Sequence, residues 1–121
     1  MSLSEQLQKL VSDQLVVGIA YLTPEGKIRG TPIWIATDGE KIFFYSREKR
    51  KKIQYLKKSH HCIVIFNNGT VEGDVKIIPK GEDIFNNNYT YLDPRYQHDP
   101  NYTTYKENWD VMVLIKPIKV Y

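Results

Sequence analysis

Residues 27–46 read KIRGTPIWIATDGEKIFFYS, and this stretch decides the fold. Its branched and aromatic residues come in two runs, 27–37 and 41–46, which predict two β-strands. Asp38-Gly39 lies between the runs and is a hairpin signal, so the two strands are expected to be antiparallel neighbours. Pro32 has no amide hydrogen and therefore has to lie at a sheet edge or at a bulge. The stretch predicts an antiparallel sheet with a tight turn.

The same residue types predict further strands on either side of this hairpin. They fall at residues 16–22, 62–66, 70–78 and 111–120, with turn sequences such as Asn68-Gly69 between them. Helical spacing occurs twice: residues 3–12 follow a capping-box pattern, and the basic stretch 47–58 places Ile53 and Leu56 on one face, with Ser46 as a candidate N-cap. We therefore expect an all-β fold with minor helices. It is an antiparallel barrel of about six strands, with an N-terminal helix and one short helix after the third strand.

Segment 86–105 fits neither pattern. It holds five of the nine tyrosines and two Asp-Pro steps, at 93–94 and 99–100. Asparagine and proline oppose a regular helix, so we predict an irregular segment with at most a broken turn of helix. Its tyrosines either cover the barrel or form a ligand lid or a partner surface, and covering the barrel is the simpler interpretation.

Length and composition limit the class of protein. A chain of 121 residues is one ordinary domain, so a single domain over 1–121 is expected. Apolar residues make up 41% and charged residues 26%, which is typical of a globular chain. No apolar run approaches the roughly 20 residues that a membrane helix needs, and the first residues carry no secretory pattern. The single cysteine, Cys62, suits a reducing compartment, so we predict a cytosolic protein without membrane association.

The positive charge is concentrated in one block. The formal net charge is +3, but seven of the 17 basic residues and only one of the 14 acidic ones lie between Arg47 and Lys58. Such a block attracts an anion. One candidate is nucleic acid, with Lys49–Lys52 on phosphates and Tyr45 and Tyr55 against bases, but one block would give only weak, salt-sensitive and sequence-blind binding.

The other candidate is a single phosphate monoester. A strand that ends in Tyr45-Ser46 and a helix that opens with Lys51-Lys52 bring together a hydroxyl donor, free helix-start amides, the positive end of the helix dipole and two ammonium groups. Composition alone does not choose between this anion and a nucleic acid.

Other chemistries have little support in the sequence. His60 and His61 are adjacent, and neighbouring residues on a strand point to opposite faces, so they are poorly placed to share one metal ion. No serine lies in a nucleophile-elbow motif, and neither common glycine-rich phosphate loop is present. We assign no metal site and no catalytic residue.

The order of the motifs resembles the pyridoxamine 5′-phosphate oxidase-like family of FMN-binding split β-barrels. The resemblance rests on Gly26–Ile35 with its Pro-hydrophobic-Trp step, on Asp38-Gly39, on Ile42–Ser46, and on Lys51–Leu56 opening a helix. Val71–Val75 adds the glycine-containing strand of that family. The resemblance covers residues 1 to about 80 well, the last strand adequately, and segment 84–108 poorly.

This resemblance implies a cofactor site. The flavin ring would lie along the second strand, at Thr31, Pro32, Ile33 and Trp34, mainly against backbone groups. The phosphate would be held by Tyr45, Ser46, Lys51 and Lys52, with Arg47 as a further candidate. The family also implies a homodimer with the cofactor at the subunit interface.

The implied activity is hydride transfer between FMN and an unidentified small substrate. The oxidases of the family open the second-strand motif with arginine, where this chain has Gly30 or Thr31, and they carry a glutamine where it has Asn68. The resemblance therefore implies flavin chemistry rather than vitamin B6 oxidation. The alternatives are a deazaflavin-dependent reductase, whose acidic cofactor tail would pair with Lys49 and Arg50, and a flavin-free module that binds nucleic acid or another polyanion.

Overall fold

The computed structural model describes residues 1–121 and contains seven strands and five helices. In chain order they are α1 (Leu3–Ser12), β1 (Val16–Leu22), β2 (Ile28–Trp34), β3 (Ala36–Thr37), β4 (Ile42–Ser46), α2 (Lys51–Ser59), β5 (His61–Phe66), β6 (Gly69–Pro79), α3 (Asp83–Asn87), α4 (Tyr89–Tyr96), α5 (Tyr102–Asn108) and β7 (Val111–Val120). Helix α1 begins with the predicted capping box: the Ser2 hydroxyl accepts from the Glu5 amide, and the Glu5 side chain accepts from the Ser2 amide. The bounds predicted for α1, β1 and β7 are confirmed.

All seven strands form one antiparallel sheet in the order β2-β1-β5-β6-β7-β4-β3. The sheet curls until Cα atoms of β2 and β4 lie within 8 Å of each other, which confirms the split β-barrel. Strand β2 is an edge strand, in which Pro32 pairs with Gly18 of β1. One side of β2 has no neighbouring strand, so the sheet tolerates a residue without an amide hydrogen there.

The expected strand 27–37 is divided, which makes the strand count seven instead of six. Ile35 interrupts it because side chains of α4 take its backbone hydrogen bonds. The Ile35 amide donates to the Tyr96 hydroxyl at 2.8 Å, and its carbonyl accepts from Arg95 Nε at 2.8 Å. The Asp38-Gly39 turn therefore joins β4 to the short strand β3.

Segment 86–105 is helical, so the prediction of an irregular segment is wrong. Its asparagines and prolines lie mostly where helices start and stop: Asn88 separates α3 from α4, and Pro100 precedes α5. Pro94 lies inside α4, which has only eight residues. Burial of Phe85, Leu92, Tyr96 and Tyr102 stabilises these short helices, which would be marginal by propensity alone.

Ser46 does not cap α2, so that prediction is also wrong. It ends β4, pairs with Val111, and accepts from the Asp110 amide at 3.0 Å through its carbonyl. The Asp110 carboxylate accepts from the Glu48 amide at 2.6 Å and holds the turn that follows. Helix α2 begins at Lys51, as the Lys51-Lys52 motif predicted, and not directly after Ser46; an extended Arg50 is its N-cap.

The core lies on both sides of the curled sheet. One cluster packs α1 and α2 against the barrel interior, and a second packs α3, α4 and α5 against the other face of β4 and β7. At Gly73 of β6 the ladder shifts register, and a Cβ there would lie 2.8 Å from the Lys116 carbonyl oxygen. Only glycine permits this close approach of two backbones. None of the five helices combines the length and the apolar composition that a membrane span requires.

Candidate functional site

A cleft of about 780 Å³ opens beside the edge strand β2, where the sheet curl brings this edge next to the end of β4 and the start of α2. All eight residues predicted for the cofactor site line it: Thr31, Pro32, Ile33, Trp34, Tyr45, Ser46, Lys51 and Lys52. Residues from three separate elements thus meet in one place, as the predicted site requires.

One end of the cleft is strongly cationic. Arg47, Arg50, Lys51 and Lys52 line it, and no aspartate or glutamate does. Lys52 is half-buried, with its Nζ 3.4 Å from Thr31 Oγ1 and 5.6 Å from the centre of the Phe44 ring. Burial lowers the pKa of Lys52, and the positive charge of Arg50 lowers it further. An unpaired ammonium group under these conditions gains from a bound anion.

The start of α2 adds to this attraction for anions. No side chain caps the helix, so its first amides are free to donate, and the helix dipole places partial positive charge there. The nearly buried Ser46 lies beside them in the cleft. Lys57 and Lys58 lie in the last turn, outside the cleft, and Lys57 forms an ion pair with Glu48.

The other end of the cleft, which we call the aromatic end, is lined by aromatic rings. Trp34 stacks on Tyr96 with ring centres 4.7 Å apart and meets the edges of Tyr105 and Trp109 at 5.4 and 6.4 Å. Trp109 in turn stacks on Tyr45 at 5.6 Å. These contacts hold flat, apolar surfaces beside the backbone of β2, where a planar ring finds van der Waals partners.

The Tyr45 hydroxyl is directed away from the cationic end, although the ring lines the cleft. It donates to the Phe85 carbonyl at 2.6 Å, and the residue is only 6% exposed. Burial raises the pKa of Tyr45 well above its ordinary value, with further increases from Tyr89 and Asp93. The donor of this hydroxyl is therefore already in use, and of the two strand-end hydroxyls only that of Ser46 remains for an anion.

Several residues that line the cleft were not among the eight predicted for the FMN site. They are Val16, Tyr21, Thr104, Tyr105, Asn108 and Trp109. Two arginines also line it: Arg47 was predicted as a further phosphate contact, and Arg50 only as a partner of a deazaflavin tail or a nucleic acid. The abundance of tyrosine in segment 86–105 hinted at a ligand lid, but nothing local to that segment indicated which of its residues reach β2.

Groups outside the cleft carry no evident catalytic chemistry. No cluster of three His, Cys, Asp or Glu side chains is placed to hold a metal ion. His61 instead pairs with Glu72 at 3.0 Å and lies 3.8 Å from Asp74. Cys62 is buried, which raises the pKa of its thiol to about 12 and makes it a poor nucleophile.

These features define a class of protein: a split β-barrel with a cleft that is cationic at one end and aromatic at the other. The family described as pyridoxamine 5′-phosphate oxidase matches residues 3–106, including most of the helical segment that the motif comparison covered poorly. The chain belongs to this family.

Solved structures share the fold along nearly the whole chain. A conserved hypothetical protein from Mycobacterium tuberculosis is 19% identical with a TM-score of 0.77, over 99% of this chain and 82% of that one. An F420 reductase is 25% identical with a TM-score of 0.68, over 94% of each chain. An FAD-binding protein from Mesorhizobium loti is 17% identical with a TM-score of 0.74, over 99% of this chain and 90% of that one. No curated protein sequence matches the chain.

Proposed function

We propose that this chain is an FMN-binding oxidoreductase, a single domain over residues 1–121 that transfers a hydride between the flavin and a small substrate. One observation carries the proposal: the cleft joins four cations without a carboxylate to an aromatic wall beside an exposed strand edge. A phosphate monoester attached to a planar ring is complementary to such a cleft: the phosphate would pair with the cations and the ring would pack on the aromatic side chains.

The residues present fit such a cofactor. The phosphate would be held by Lys51, Lys52, Ser46 and the free amides of α2. It would also supply the half-buried ammonium of Lys52 with a negatively charged partner, which that group lacks in the free protein. The backbone of residues 31–34 would run along the ring. When bound, the flavin supplies two-electron chemistry, and the protein's contribution is to position the substrate and exclude water.

A second protomer would complete the site. The strand pairings place Val16, Leu22 and Ile28 on the same outward side of the sheet as Ile63 and Ile65, and these five side chains are between 38% and 77% exposed. This apolar face is continuous with the cleft through Val16. We therefore propose a homodimer that buries the face and encloses the cofactor, since exposed apolar patches of this kind mark interaction sites. The buried, unpaired Cys62 suits a cytosolic protein.

A deazaflavin is the second candidate cofactor. The similarity to an F420 reductase supports it, because that protein is 25% identical over 94% of each chain. The four cations of the cleft also exceed what one phosphate neutralises, since a phosphate monoester carries about −1.5 to −2 at neutral pH. An acidic cofactor tail would take up the remainder.

Titration of the purified, cofactor-free protein tests the proposal. FMN is expected to bind with a change in flavin fluorescence, and riboflavin, which lacks the phosphate, is expected to bind more weakly. F420 titrated in parallel decides between the two cofactors. A protein that ignores both but retards random DNA on a gel, with affinity that falls steeply with salt, would instead be the polyanion-binding module.

A further inference from the structure

One part of the cleft belongs neither to its cationic end nor to the backbone of residues 31–34, along which the flavin ring would run. We call it the α5 wall; it consists of Thr104, Tyr105, Asn108 and Trp109. Three of these residues belong to helix α5 and the fourth follows it directly. Because they lie beside Trp34 at the aromatic end, a molecule that reacts with a ring bound along β2 would meet them.

The inner side of α5 is firmly held. The Tyr102 hydroxyl donates to Asp93 Oδ1 at 2.5 Å, and Lys106 Nζ lies 3.0 Å from the same oxygen. Lys106 also lies over the Tyr89 ring at 4.3 Å. Burial, followed by the hydrogen bond to Asp93, raises the pKa of Tyr102, so this hydroxyl keeps its proton and the bond persists. Helix α5 is therefore held in a fixed position against the rest of the fold.

The cleft side of α5 leaves binding groups unused. Tyr105 is 47% exposed, although its ring lies in an edge contact with Trp34 at 5.4 Å between ring centres. Asn108 donates through Nδ2 to the Thr104 carbonyl at 2.7 Å, which fixes the amide and leaves its oxygen free to accept a hydrogen bond. A flat aromatic surface next to an oriented acceptor is suited to a planar ring with one polar edge.

The charge in the cleft further narrows the ligand class. Four basic side chains and no carboxylate line the cleft. A phosphate that carries about −1.5 to −2 leaves roughly half of this positive charge in place. A cationic ring would therefore be repelled, whereas a neutral or anionic one would not.

We propose that the α5 wall selects the substrate, which is a planar conjugated ring without positive charge. It packs on Tyr105 and turns a polar edge towards Asn108. This inference rests on the proposed function, because it takes the cleft to hold a flavin along β2.

Tyr105 has a matched control in the same chain. Tyr91 is 43% exposed, lies on α4 and does not line the cleft. The FMN-loaded wild type, Tyr105→Ala, Tyr105→Phe and Tyr91→Ala are titrated by calorimetry with naphthoquinone sulfonate, neutral menadione and cationic N-methylquinolinium. Tyr105→Ala should weaken the binding of naphthoquinone sulfonate about tenfold, while Tyr105→Phe and Tyr91→Ala stay close to wild type. The quinolinium should bind most weakly.

The FMN affinity of each variant is measured separately. If FMN binds but Tyr105→Ala behaves like Tyr91→Ala, if Tyr105→Ala weakens FMN as much as the quinone, or if no probe binds the wild type, the inference is overturned and the proposed function stands. If FMN does not bind the wild type, the proposed function fails. The inference, which takes the cleft to hold a flavin, then fails with it.

Discussion

Replacing Lys52 with methionine should improve the stability of the cofactor-free protein and weaken its binding of FMN. Methionine keeps the length and most of the packing of the side chain but removes the charge. In the folded chain that charge is half-buried, and its nearest polar contact is Thr31 Oγ1 at 3.4 Å. Lys58→Met is the matched control, because Lys58 is exposed and lies in the last turn of the same helix.

The loss of FMN affinity follows from the contact that Lys52 would make. A charge-assisted hydrogen bond contributes about 1.5 to 3 kcal/mol, so its loss should raise the dissociation constant roughly ten- to a hundredfold. Riboflavin, without the phosphate, should bind the variant and the wild type equally. Lys58→Met should change FMN binding little, since an exposed charge beyond about 10 Å is largely screened.

The gain in stability follows from the pKa of Lys52, which burial and Arg50 lower in the folded chain. Keeping the lysine charged therefore costs the fold stability at neutral pH. Lys52→Met should remove this cost and raise the stability by about 1 kcal/mol, which is a rise of roughly 4 °C in Tm. The cost fades as the pH rises through the lowered pKa towards the ordinary lysine value, so the difference in Tm should shrink at alkaline pH.

Fluorescence titration with FMN and riboflavin, together with thermal unfolding at neutral and alkaline pH, measures both effects. Equal losses of FMN affinity in Lys52→Met and Lys58→Met would mean that the block acts only as a basic surface. A parallel loss of riboflavin affinity would show that Lys52 supports the ring or the fold rather than the phosphate, and the reasoning would be refuted.

Three further changes test other parts of the structure. Tyr45→Phe should leave the Phe85 carbonyl without its buried donor and lower the free energy of unfolding, measured in urea, by about 1 to 3 kcal/mol. FMN affinity should not change. A loss of FMN affinity without a loss of stability would show that the hydroxyl binds the phosphate. Gly73→Ala should lower Tm, because the new methyl group would press on the Lys116 carbonyl; an unchanged Tm would contradict the tight crossing. Ile65→Asp should convert the proposed dimer to a monomer in light scattering, and a dimer that survives would exclude the β1–β5 face as its interface.

Local signals were sufficient for most of the barrel. The capping box at Ser2 and the runs of branched and aromatic residues determine α1, β1 and β7, since capping hydrogen bonds and strand propensity act over a few residues. Pro32 limited its strand to a sheet edge or a bulge for the same reason, because a missing amide hydrogen is a property of the residue itself. The order of such motifs, through the resemblance to the family, also brought together eight of the sixteen residues that line the cleft.

Only the tertiary structure decided the rest, because it depends on contacts between distant parts of the chain. Tyr96 and Arg95 interrupt the strand at Ile35 from about 60 residues away, and the Tyr45 hydroxyl finds its acceptor 40 residues along the chain. The helices of segment 86–105 are similar: their asparagines and prolines argue against a helix locally, but the apolar area that they bury against the sheet outweighs this preference. For that reason the local sequence does not predict that the α5 wall lines the cleft, whereas it does predict the basic start of α2.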